Sequence, residues 1–510
     1  MLMKLLAFAL YAGVLLAIGY AASKKMHDIR DYFAGGKKLG FINIAFSSRA
    51  TGESAWLLLG LTGMGYTLGV KAFWVVVGEL LGVGIAWIFM AKRFKRLTDK
   101  YDSVTVPDFL ESRLRDTGHW IRLISCGALL IFVPIYAGTQ VFAAGGAFYD
   151  FLGWNHYLGA AVGFGIVLLY ITQGGFTAVV WSDVFQGSLM VIGLVALPIV
   201  GMLEIGGVTN VIGGLRDIDP GLLTVHAGKG WNLMTILSIV GLGMIGLGFL
   251  GSPQVFVRFI ALKDEKQILP GTIVALTWTL LADGGAVLVG LTGRVLFTKA
   301  DLGGGEGFAE SILPVMSNTL LPAFFSGAFI AMVLSAIMST IDSLLVLASS
   351  AAVRDYWQKT RHPDMPDDTL MALSRKLTIV LALFAFAIGI GILLYNKDEG
   401  IFWTIIFGWS GIAATFCPVI VLSLFWSKLT ATGAKASMVA GFLSVSIFKF
   451  ALPPLLVGMG FDKMNDGLAA LDVLPPSFAV GMFVAIVVSL LDKKGRARLD
   501  GVAEELYNAR

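Results

Sequence analysis

The chain has 510 residues, 56% hydrophobic and 14% charged, with a mean hydropathy of +0.80 and a net charge of +4. Soluble proteins carry about 25% charged residues, so this composition, with long apolar runs from end to end, excludes a soluble enzyme and defines a polytopic membrane protein. No Walker-type glycine loop, Cys/His cluster or appended soluble domain is encoded, which argues against an ATP-driven pump and against zinc or redox chemistry.

About thirteen spanning segments are predicted, near 2–22, 40–67, 70–91, 121–148, 157–173, 177–203, 233–260, 270–297, 318–350, 376–394, 400–426, 434–451 and 473–491. The first has the outline of a signal peptide, with Lys4 before the apolar run and Ala21-Ala22-Ser23 at its end. Lys24 and Lys25 follow at once, with Arg30, Lys37 and Lys38 beyond. Positive charge after the span predicts a retained helix with its N-terminus outside. Alternate loops then carry the basic residues, roughly 28 inside against about 8 outside, which gives a cytoplasmic C-terminus.

Two segments read as broken. Segment 40–67 carries Arg49, Gly52 and Glu53 at mid-span, and segment 233–260 carries Gly241, Gly243, Gly246, Gly248, Gly251 and Pro253. Glycines of this kind serve close helix packing or a break that lines a cavity. The two segments lie five spans apart, as interrupted helices do in the two halves of an inverted-repeat transporter. The expected organisation is an extra N-terminal helix with its loop (1–39), a first five-helix repeat (40–205), an extracellular loop (206–232), a second five-helix repeat (233–426), two C-terminal helices (427–492) and a cytoplasmic tail (493–510).

Segment 318–350 carries the most informative polar set. On a helix, Ser339, Asp342 and Ser343 share a face, with Thr340 beside them. Hydroxyls and a carboxylate converging at membrane depth suit a small hard cation, and a carboxylate there is costly unless paired or liganded. Back-bonding of the hydroxyls beside a wet crevice is the plainer alternative. Asp183 either completes that cation set or caps its own helix. Arg49 and Glu53, spaced i, i+4, either neutralise one another or contact a solute. Glu79 and Asp283 line either the solute path or a wet vestibule.

Several blocks together resemble the sodium/solute symporter family, most closely its bacterial sodium/proline branch. They are Arg49-Ala50-Thr51-Gly52-Glu53-Ser54-Ala55-Trp56, Val106-Pro107-Asp108-Phe109, Trp181-Ser182-Asp183, Gly246 through Pro253 with Arg258-Phe259, Ala336 through Thr340, and Gly408-Trp409-Ser410-Gly411 with Pro418. The resemblance implies a leucine-transporter-like inverted repeat and Na+ as the coupled ion. It implies a primary Na+ site made by the carbonyls of Ala50, Glu53 and Ala336 and the hydroxyls of Ser339 and Thr340. A second Na+ set would be Asp183, Ser339, Asp342 and Ser343. Ser54, Ile245, Phe249 and Pro253 would border the solute; Glu79 is similar in place to an acidic residue of sugar-transporting members, and Tyr136 and Gln140, an aromatic and a polar residue on core segments, are further solute candidates.

The chain departs from proline symporters in having Gly52 for an aspartate, Ile245 for a tryptophan and Phe249 for a tyrosine. The expected function is nonetheless sodium-coupled import of a small solute, an amino acid such as proline, by alternating access. A sugar, sialic acid or monocarboxylate is the alternative, and a membrane-embedded aspartyl protease using Asp183 or Asp342 with Asp283 is the reading from a different class. The expected setting is the inner membrane of a bacterial-type cell. The lipid bilayer, sodium and a small molecule are the partners, with no nucleic acid and no obligate protein.

Overall fold

The computed structural model describes residues 1–24, 29–304, 307–395 and 400–510, with backbone alone at 29 and 170–174. Lys25, counted above with the cytoplasmic charges, lies outside the described residues. The described chain is nearly all helical; its β-type contact is an isolated bridge between Leu39 and Leu262, where the chain enters the first broken segment and leaves the second.

Eleven helices among the described residues are long and apolar enough to cross a membrane. The number falls short of thirteen at two places, each with a local reason. Segments 40–67 and 70–91 run on as one apolar stretch, Trp56–Lys100, because no polar loop separates them. The reversal is made by Gly69, at φ +63, where a Cβ would lie 2.1 Å from the Leu222 carbonyl oxygen, so both the conformation and the space require glycine. Segment 157–173 appears as the shorter apolar helix His156–Leu169, which runs into Gly175–Ile205 through a kink at Gly175 (φ +53).

Both expected breaks are present. The helix Phe41–Gly52 stops where Glu53 turns extended (φ −82, ψ 163), and helical structure resumes at Trp56. The helix Leu233–Met244 tightens into a 3-10 turn over Ile245–Leu250, opens at Gly251 and Ser252, and resumes at Pro253, which needs no N–H at a helix start. The glycines of the second break also serve close packing: a Cβ on Gly246 would lie 2.0 Å from the Gly78 carbonyl oxygen, so the helix Phe73–Ile85 meets this segment backbone to backbone.

The helix Ala323–Ser350 runs through the centre, and from Phe329 onward every residue is buried. Its polar side chains therefore depend on protein partners. The N-terminal helix Leu2–Ser23 packs along it: the Lys4 backbone sits against Gly327, and the Tyr11 hydroxyl meets the Met338 sulfur at 3.6 Å and accepts from Gln186 at 3.1 Å.

Two expected loops hold structure. Region 206–232 contains the helix Val208–Ile218, and the tail 493–510 contains Lys493–Ala497 and Val502–Asn508. The tail helix docks through Glu505, which pairs with Lys100 and Arg115 at 3.0 Å each.

Candidate functional site

The break at Glu53 releases backbone carbonyls from helical bonding and turns them toward Ala323–Ser350. The Ser339 hydroxyl donates to the carbonyl oxygens of Ala50 (2.9 Å) and Ala336 (3.2 Å). The Thr340 hydroxyl donates to those of Glu53 (2.5 Å), Ala336 (3.1 Å) and Thr51 (3.4 Å). All the oxygens of the expected primary set thus face one another across two helices, with the Thr51 carbonyl as an addition. The set is neutral, dry and all-oxygen, a donor set for a hard monovalent cation. Each hydroxyl also spans the seam, so the same oxygens join the two helices.

The second expected set gathers around a residue whose role the sequence did not suggest. The Arg258 guanidinium reaches Thr51 Oγ1 (2.5 Å), Ser343 Oγ (2.6 Å) and Asp183 Oδ2 (3.3 Å) through Nη2, while its Nε donates to Ser47 Oγ at 2.9 Å. Ser47 in turn donates to Asp183 at 2.6 Å, and Ser343 to Asp342 at 3.3 Å. Asp183, Asp342 and Ser343 are brought together, but the Ser339 hydroxyl points to the first set instead. Arg258 lies near the end of segment 233–260, and its signals in the sequence are its place in the Arg258-Phe259 block and its being the lone charge in the half-helix Pro253–Ala261.

A third group surrounds Arg49. It bonds to Glu53 one turn on, to Glu79 at 3.3 Å, and lies 3.8 Å from Asp283. The guanidinium also faces the Phe249 and Trp278 rings, at 4.6 and 5.5 Å. The neutralising pair is therefore present, and Glu79 and Asp283 lie buried beside it.

Of the expected solute residues, Gln140 and Ser54 meet at the first break: Gln140 accepts from Ala55 N–H at 3.1 Å and donates to Ser54 Oγ at 3.3 Å. Ile245 and Phe249 meet at the second, where Trp409 donates to the Ile245 carbonyl at 3.3 Å and its ring lies 5.0 Å from Phe249. Tyr136 is buried beside Gly408, and Pro253 starts the resumed half-helix. The space between Arg49, Phe249, Val83 and Trp87 is too small for a water molecule.

Residues 32–441 match the model of the sodium:solute symporter family. The chain is 33% identical over 479 residues to the high-affinity proline transporter PutP of Bacillus subtilis, covering 94% of this chain and 96% of that one. It is 29% identical over 498 residues to the sodium/proline symporter of Escherichia coli, covering 97% and 94%. Its backbone superposes on a Na+-coupled sialic acid symporter, solved substrate-bound and outward-open, with a TM-score of 0.76 at 18% identity, covering 96% and 98%.

This helical, multi-pass bundle with two broken helices facing a central helix has the leucine-transporter-like fold. The chain belongs to the sodium:solute symporter family. It is a membrane transporter that moves a small solute with sodium.

Proposed function

We propose that this chain imports a small amino acid, with L-proline first in line, together with Na+ bound by Ala50, Glu53, Ala336, Ser339 and Thr340. The observation that carries the reading is the set of hydroxyl-to-carbonyl bonds across the break, because Na+ there would replace hydrogen bonds that already join the two helices. Sodium then stabilises one packing of the repeats, and solute closure followed by rocking exposes both to the other side. The repeats are read as 40–205 and 233–426, with the N-terminus outside and the C-terminus in the cytoplasm of a bacterial-type cell, as the charge bias implies.

Proline is favoured by the names and near-complete coverage of the curated relatives. The solute would sit between Ser54, Tyr136 and Gln140 on one side and Ile245, Phe249 and Pro253 on the other. Glu79, the residue behind the sugar alternative, is turned to Arg49. In the second cation set Arg258 itself supplies the positive charge, so a second Na+ would have to displace it. Transport rather than intramembrane proteolysis is supported by the division of the carboxyls: Asp283 lies with Arg49, whereas Asp183 and Asp342 lie with Arg258.

A thermal-shift screen of L-proline, other amino acids, sugars, sialic acid and monocarboxylates, each with and without Na+, tests the reading. L-proline is expected to raise the unfolding temperature only when Na+ is present. Stabilisation by a sugar or sialic acid alone would reassign the solute.

A further inference from the structure

A cavity of about 380 Å³, a size usual for small-molecule sites, lies where the chain joins its last two long helices. Trp403 lines it from the start of the helix Ile401–Phe425, and Phe448 and Lys449 from Ile447–Ala451. Asn465 and Ala469 come from the short helix Asp462–Leu471, and Asp472 from the turn before Leu474–Leu491. None of these residues belongs to the sodium face, to the Arg258 group or to the Arg49 group.

Asp472 is strained and incompletely satisfied. Its backbone is held at φ +63 and ψ 176, a conformation that L side chains rarely adopt. The carboxylate faces the Val473 and Leu474 N–H groups, yet its Oδ2 is buried with no hydrogen-bond partner among the described residues. Burial raises this carboxyl above its ordinary range, and those N–H groups and Lys449 offset the rise only in part. A further cationic donor would complete it. Lys449 brings the opposite charge into the same cavity. A lone anion entering would be repelled by Asp472, and a lone metal ion by Lys449. A molecule carrying both signs answers both.

We propose that this cavity binds an amino-acid-sized zwitterion, its carboxylate toward Lys449 and its ammonium toward Asp472 Oδ2. Asn465 supplies an amide that can donate or accept, and Trp403 and Phe448 wall the carbon skeleton, with the aromatic rings favouring a cation nearby. The site is separate from the solute position proposed between the two breaks, and it rests on neither the solute nor the sodium reading. A phosphatidylethanolamine headgroup carries the same pair of charges, so the test includes that lipid as its own arm.

Thiol labelling of the full chain tests the proposal. Cys126 and Cys417 are buried, so Ala469→Cys places an accessible thiol on the cavity wall. The protein is held in phosphatidylglycerol nanodiscs, in K+ without Na+, so that the sodium-dependent centre is not loaded. L-proline at ten times its half-protecting concentration leaves roughly a tenth of the sites open, and maleimide labelling is expected to slow about tenfold. N-acetyl-L-proline, which lacks the cation, and L-prolinamide, which lacks the carboxylate, are expected to leave the rate unchanged. Lys449→Met and Asp472→Asn, each added to Ala469→Cys, are expected to abolish the protection, and either suffices if the other does not fold. No protection by L-proline, equal protection by the two analogues, or protection that survives the charge variants would overturn the site. Slow labelling in phosphatidylethanolamine nanodiscs that L-proline does not alter would give the cavity to a lipid headgroup and overturn the amino-acid occupant.

Discussion

Phe249 occupies the space that a side chain at position 52 would take: a Cβ on Gly52 would lie 2.5 Å from Phe249 Cε1. The ring cannot simply swing away, because Trp409 and Arg49 pack against it. The chain has Gly52 and Phe249 where the proline branch has an aspartate and a tyrosine, so both positions carry smaller side chains here and the ring lies directly over Gly52. Gly52→Ala is expected to overpack the centre by about 1–3 kcal/mol and to reduce transport. Phe249→Ala carries its own cavity cost of about 3–5 kcal/mol, and beside it Gly52→Ala is expected to cost less than it does beside the native ring. Additive losses in the double variant would mean the two positions are not coupled.

Removal of Ser339 or Thr340 tests the sodium face directly. Each hydroxyl is one oxygen of the set, and a hydrogen bond to a charged group contributes about 1.5–3 kcal/mol. Ser339→Ala and Thr340→Ala are each expected to weaken Na+ activation by about ten- to a hundredfold. The Na+ concentration for half-maximal uptake is the readout, and no change in it would remove that residue from the site.

Arg258 and Asp183 make a buried pair, 3.3 Å apart and at most 1% exposed. Removing one partner leaves the other uncompensated, at about 3–5 kcal/mol. Arg258→Met should thus destabilise the protein strongly, and adding Asp183→Asn should restore part of the loss. A double-mutant cycle on unfolding temperature measures this coupling, and additive effects would show that Asp183 has another cationic partner.

The docked tail gives a pH dependence. Burial alone would raise the Glu505 carboxyl, but its bonds to Tyr101, Lys100 and Arg115 outweigh burial and hold it at about 2, below the usual 4.5. A depressed folded pKa stabilises docking above the unfolded value and loses that contribution as pH falls toward the folded one. Hydrogen exchange over 502–508 should stay slow down to mildly acidic pH and accelerate only between the unfolded value near 4.5 and about 2. Glu505→Gln should accelerate it at neutral pH, and rapid exchange in the wild type at neutral pH would contradict the docking.

The meeting of Ser339 and Thr340 with the first break, proposed above to hold Na+, is legible because its signals are one-dimensional. Helical spacing places Ser339 beside Asp342 and Ser343, and Gly52-Glu53 marks its own break. Arg258 and Asp283 were not legible in the same way, because their partners come from other helices and depend on which helix crosses which. At Gly69 two expected spans join in one apolar stretch for a related reason: a reversal made by one glycine leaves no polar loop to read.

Uptake of L-proline into proteoliposomes with Na+ or K+ imposed outside tests the central claim most directly. The account predicts accumulation with external Na+ and little above background with K+, the inward gradient and membrane potential supplying the drive at about 2.3 kcal/mol per charge per 100 mV. Equal accumulation in the two salts would contradict it.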